Sequence, residues 1–158
     1  MTRLSILALR VLLTVGMVGA LLAQLWFFPT LAGELATSYP EVAWLRWPVL
    51  LAVVFGIVAV EVAIVAVWVL LSMVQRDSVF SPRAFRWVDV IVTAAMVATG
   101  LVIAVLAMLA HARTLPPAVM LLLLALIVAG AAFALLMTVM KGLLRQAANL
   151  TVELSEVI

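Results

Sequence analysis

Cysteine is absent, histidine occurs once, and charged residues make up only 10% of the 158-residue chain. Without cysteine there is no disulfide framework, no thiol nucleophile and no thiolate metal site, and a single histidine builds no imidazole metal site alone. We therefore expect neither a metal nor a cofactor. The sequence also lacks a glycine-rich nucleotide loop, a Ser/His/Asp arrangement, paired catalytic carboxylates and a deaminase-type metal signature, so no catalytic residue is assigned and the chain is not expected to be an enzyme. A 17.0 kDa chain has no room for a separate catalytic module beside its main fold. What fills the space is apolar: 69% of residues are hydrophobic and mean hydropathy is +1.41, against roughly 45–50% apolar and about 25% charged residues in a soluble domain. This composition excludes a soluble fold.

Four apolar runs, at about 4–28, 48–74, 87–110 and 118–140, each exceed the ~20 residues needed to cross a bilayer as helix. Backbone groups in hydrocarbon must be satisfied within the segment. The expectation is an all-α polytopic membrane protein: an antiparallel bundle of four transmembrane helices over residues 1–142, followed by an amphipathic tail at 143–158. Arg3, Arg10, Arg76, Arg83, Arg86, Lys141 and Arg145 fall at one end of these runs, and only Arg46 and Arg113 at the other. The asymmetry places both termini in the cytoplasm. It also accounts for the pI near 9.9 as a topology signal, so direct nucleic-acid binding is not expected. The first run is too long for a cleaved signal peptide and reads as a retained helix. Small residues at Gly16/Ala20, Gly56/Val60 and Gly130/Ala134 offer places where helix backbones can approach.

The connection 29–47 falls outside the membrane in this orientation and contains Pro29, Pro40, Glu34, Glu41 and Arg46. The prolines are expected to break the chain here, leaving residues 30–38 as a short interfacial helix. Half of the twelve aromatics, Trp26, Phe27, Phe28, Tyr39, Trp44 and Trp47, cluster in and beside this connection. Rings at a helix end form an interfacial anchor; the alternative is that these rings and the two glutamates line an outward pocket for an amphiphilic or cationic compound. The second outer connection carries His111 beside Arg113 as a solvated loop residue.

Two groups of charges stand out near or within the membrane. Glu61 has thirteen residues on either side of it within 48–74, and so lies at the bilayer centre. An ionised carboxylate is costly there unless paired. By matched depth its neighbours are Thr14 on the first helix and Thr99 on the third. One reading is a neutral carboxyl hydrogen-bonded between helices, the other a proton-coupled function. Arg10 and Asp89 lie near the cytoplasmic interface, where they can pair across helices, or Asp89 can pair with Arg86 one turn earlier.

In the cytoplasmic connection, Ser81 followed by Pro82 is a cap with proline at the first helical position, and Phe80 and Phe85 have the spacing of a hydrophobic staple. This segment, with Asp77, Val79, Phe80, Ser81 and the run from Ala84 to Asp89 (A-F-R-W-V-D), resembles the bacterial domain-of-unknown-function 2975 family. Tyr39-Pro40-Glu41-Val42, Leu45-Arg46-Trp47-Pro48 and Leu143-Leu144-Arg145-Gln146-Ala147 extend the similarity over the whole chain. The resemblance implies a small four-helix protein of the bacterial inner membrane, often encoded beside a Cro/repressor-like helix-turn-helix regulator that it tethers or controls. No catalytic residues come with it.

In the tail, Leu143, Ala147, Leu150, Leu154 and Val157 recur at steps of four, three, four and three, a seam of just over two heptads. So short an amphipathic helix must bury its stripe against something. Self-packing or homodimerisation is one solution and docking of a regulator another; the acidic Glu153 and Glu156 disfavour an anionic lipid surface. Three functions follow. The first is a tether for a cytoplasmic transcription factor that senses a membrane-active compound. The second is a small proton-coupled transporter using Glu61, superficially similar to the small multidrug-resistance exporters. The third is a structural subunit of a larger membrane assembly.

Overall fold

The structure, a computed structural model, describes residues 3–74 and 82–156, all-helical within those bounds. Five helices are α1 (Arg3–Leu22), α2 (Phe28–Ser38), α3 (Arg46–Val74), α4 (Pro82–His111) and α5 (Pro117–Glu156). Four helical stretches, Ile6–Ser38, Pro40–Met73, Phe85–His111 and Pro117–Gln146, are long and apolar enough to cross a membrane. The chain is a multi-pass membrane protein. Proline stands at the first position of both α4 and α5, where its missing N–H costs nothing. Ser81, Phe80 and Asp77 lie outside the described residues, so the expected cap and staple do too.

The first correction to the expected layout is at Pro29, which does not end a helix. Residues Ala23–Phe27 form one wide turn joining α1 to α2, closed by the Phe28 N–H donating to the Ala23 carbonyl five residues back. Proline has no N–H for the ordinary helical bond and its ring crowds the carbonyl four residues earlier. A wide turn changes the register just where that bond is missing. The Thr30 hydroxyl then donates to the Trp26 and Phe27 carbonyls at 2.8 and 2.9 Å. The helix continues to Ser38, and the chain reverses only after Tyr39, through the tight turn Pro40–Leu45. A second feature is at the other terminus, where α5 passes through Gly142 without a break and runs from the last span as far as Glu156.

Among the described residues the long helices lie side by side, with α3 packed between α1 and α4, and α4 between α3 and α5. The tightest contact is between α3 and α4. Leu45 and, in α3, Ala52, Ala59 and Ala66 are buried at intervals of seven, and Ile91, Ala94 and Val105 are buried on α4. In lipid there is no hydrophobic gain in bringing two apolar helices together, so contact depends on how closely backbones approach. An alanine every seventh residue provides that closeness along the length of α3, in the manner of a coiled-coil seam. Gly130 does the same for α5, because a Cβ there would overlap the Thr99 hydroxyl of α4. Gly56, in contrast, has open space around it and marks no contact.

Candidate functional site

Three neighbouring pairs set the register of the first helical stretch against α3. The Arg10 guanidinium lies 6.0 Å from the Trp68 ring centroid. A Cβ on Gly16 would touch the Ile64 side chain at 3.8 Å, and one on Gly33 the Arg46 guanidinium at 3.7 Å. The helices are antiparallel, and in this register Glu61 stands level with Val18 and Gly19, about one turn further along α1 than Thr14. Neither threonine reaches the carboxyl. Thr14 donates to the Arg10 carbonyl and Thr99 to the Ala95 carbonyl, each within its own helix at 2.8 Å, while Thr99 packs on Gly130. Hydropathy alone gives depth to within a turn, and hydroxyls in apolar helices turn back onto their own backbone. The Glu61 Oε1 is buried without a hydrogen-bond partner, and so is the Gln24 Oε1 in the wide turn. Gln24 is a second polar group in the membrane that the sequence reading passed over.

The expected ion pair is also redrawn. Asp89 is bonded to Lys141 of α5, not to Arg10 or Arg86. Asp89 and Lys141 face one another because Thr99 and Gly130 fix the register of α4 against α5. Arg10 lies instead against Trp68, and Arg86 is exposed. Of the tail seam, Leu143 is exposed. Ala147, Leu150 and Leu154 continue the α5 backbone, while their side chains and the whole of Val157 lie outside the described residues.

At the other end of the molecule, that of the Tyr39–Leu45 and Ala112–Pro116 connections, the helices part around a cavity of about 710 Å³. This is the site the geometry favours. Its wall is apolar, with Leu31 and Leu35 from α2, Val49 and Val53 from α3, Leu109 from α4 and Val119 from α5. Two of the six clustered aromatics, Phe28 and Tyr39, belong to it. Phe27 stands edge-to-face on Phe28, with centroids 5.3 Å apart, and Trp26, Phe27, Trp44 and Trp47 are exposed, as an interfacial belt requires. Glu34 and Glu41 are exposed and outside the lining. Helical spacing explains Glu34: Leu31, Ala32, Leu35 and Ala36 present one stripe to the cavity, and Glu34 falls off it. The charged groups at the cavity are Arg46 and Arg113. Of the expected pocket for an amphiphilic or cationic compound, the rings Phe28 and Tyr39 line the cavity, while the charged residues of its wall are arginines and not Glu34 and Glu41.

A family model described as "Protein of unknown function (DUF2975)" matches residues 30–158. The chain belongs to the DUF2975 family. The match takes in every residue that lines the cavity except Phe28. It leaves residues 1–29, and with them α1, outside, a narrower extent than the similarity read from the sequence. No curated protein and no solved structure matches this chain.

Both arginines are set in unusual surroundings. Arg46 opens α3, its guanidinium 5.3 Å from the Trp47 ring centroid and its Nε buried without a hydrogen-bond partner. Arg113 ends α4. The Thr114 N–H donates to the Leu109 carbonyl at 3.3 Å and the Arg113 N–H to the Ala110 carbonyl at 3.1 Å, the paired bonds of a Schellman cap. The residue between them must be left-handed, and Arg113 has φ 54. Glycine normally occupies this place because a side chain is strained in it. His111, two residues earlier, is exposed.

Proposed function

We propose that this DUF2975 protein is a non-enzymatic membrane regulator of the bacterial inner membrane, with both termini inside, that holds a cytoplasmic helix-turn-helix transcription factor on its C-terminal helix and responds to a membrane-active compound. The supporting observation is the continuity of α5. Its forty residues make a rod about 60 Å long, about twice the ~30 Å hydrocarbon core. From Lys141 to Glu156 it extends roughly 23 Å past the Asp89 ion pair. A helix without a hinge carries any tilt of the span directly to its far end, where the heptad seam offers a surface to a partner. A ligand controls that surface by binding one packing of the span better than another. The test is purification from native membranes in mild detergent of the full chain beside a chain ending at Gly142, with mass spectrometry of co-purifying proteins. A helix-turn-helix protein retained only by the full chain is expected; its equal retention or absence in both overturns the reading.

The transporter reading keeps one observation in its favour, the buried and unpartnered Glu61 Oε1. An intramembrane carboxyl of this kind is a candidate for proton coupling. Under that reading Glu61→Gln abolishes pH-dependent efflux and leaves the tail's partner bound. Under the tether reading the same substitution leaves co-purification unchanged and no efflux is found.

A further inference from the structure

The cavity between α2 and the ends of α3, α4 and α5 is apolar over most of its wall and cationic at two places. Among the described residues, neither Arg46 nor Arg113 has a carboxylate within ion-pairing distance, and Glu34 and Glu41 do not line the space. A guanidinium near an apolar wall without an anion forgoes the charge-assisted, two-pronged bonds for which its planar fork is shaped. Arg46 goes further, since its Nε is both buried and unpartnered. Arg113 supplies an independent sign. Backbone strain at a non-glycine left-handed residue persists where the surrounding structure imposes it, and such residues concentrate at binding and catalytic sites. Here glycine would close the α4 cap with less strain, and arginine instead brings a second positive charge to the same cavity.

We propose that this cavity binds a long-chain carboxylate, with its head between Arg46 and Arg113 and its chain laid along the stripe of Leu31 and Leu35 and the facing Val49 and Val53. Size and charge select this class. A volume of about 710 Å³ falls within the ~300–1,000 Å³ of small-molecule sites and suits one acyl chain better than the two of a phospholipid. The planar carboxylate matches the arginine fork, and a cationic amphiphile would meet like charge. A long-chain carboxylate is then the membrane-active compound to which the protein responds. The carboxylate site rests on the proposed function only for this consequence, because binding is measured without the tail's partner.

The experiment uses the full chain in nanodiscs of zwitterionic phosphatidylcholine and titrates parinarate, a fluorescent long-chain carboxylate, reading energy transfer from the tryptophans above the signal of empty discs. Saturable binding is expected, displaced by palmitate and at least ten-fold less well by the alcohol of equal chain length. Arg46→Gln and Arg113→Gly should each weaken binding about ten-fold. Arg113→Gly keeps the cap, so its folding is not at risk. Ala36→Phe places a ring in the cavity with both charges intact and should abolish saturable binding. Equal displacement by the alcohol, unchanged affinity in Arg113→Gly, or full binding by Ala36→Phe each overturns the assignment. Displacement by phosphatidylglycerol but not by palmitate overturns the carboxylate in favour of a lipid headgroup.

Discussion

The two ends of the molecule are packed differently. At the Val74/Pro82 end Asp89 of α4 meets Lys141 of α5, Arg86 and Arg145 are exposed, and buried Leu71, Ala66 and Ile91 close the contact between α3 and α4. At the Tyr39/Pro116 end the helices part around a cavity, the two arginines have no anion among the described residues, and one of them holds a strained backbone. A structure optimised only for stability would place glycine at 113 and fill the cavity with side chains. On the proposed reading, one end holds the helices together and the other receives the ligand.

The comparison predicts unequal costs for equal changes. Ala66→Leu, at a fully buried seam position, should be the most damaging, destabilising by about 3 kcal/mol through overpacking, whereas Ala52→Leu, one position before the cavity-lining Val53, should cost less than half as much. Thermal unfolding of both in the same detergent, followed by circular dichroism, checks the ratio, and equal losses would break the contrast. Gly130→Ala comes next, at about 2 kcal/mol, because the new methyl overlaps Thr99. Adding Thr99→Ala should recover most of that loss in a double-mutant cycle. Arg113→Gly has the opposite sign: relief of left-handed strain should stabilise by about 1 kcal/mol, seen as a higher melting temperature in the absence of ligand. The smallest effect belongs to Lys141→Ala. With Asp89 56% exposed, that pair should contribute under ~1 kcal/mol, and its salt dependence in denaturant titrations is the more sensitive readout.

The positions of the four spans were legible in the sequence, because length and hydropathy decide what can cross a bilayer and Pro82 and Pro117 mark where helices begin. Lateral packing was less so. A lipid-facing leucine and a helix-facing leucine look alike in a hydropathy profile, so Gly56 seemed as good a contact as Gly130, and the depth match of Glu61 to Thr14 missed by a turn. The run Leu45, Ala52, Ala59, Ala66 was a usable signal that went unread, since alanine every seventh residue in an otherwise branched and bulky helix narrows one face. Pro29 misled because its local rule forbids an ordinary helical bond yet allows a wider turn. The aromatic cluster was correctly placed at one end of the spans. Its division into an exposed belt and a cavity wall depends on helix rotation, and charge counting alone presents Arg46 and Arg113 only as topology markers. Asp89 was singled out, but its partner Lys141 lies 52 residues along the chain, beyond any local spacing rule.

The wide turn at Ala23–Phe27 acts on the phase of the long rod that contains it. One surplus residue in a helix offsets everything before it, relative to everything after, by about 100 degrees of rotation. The leading segment and the cavity-lining segment therefore point their inner faces independently, like two gears joined by a slipped tooth. The family match begins at residue 30, just beyond that slip. Residues gained or lost between Gly16 and Ala23 change which flank of α1 meets Ile64 and Trp68, and leave the cavity's own alignment untouched.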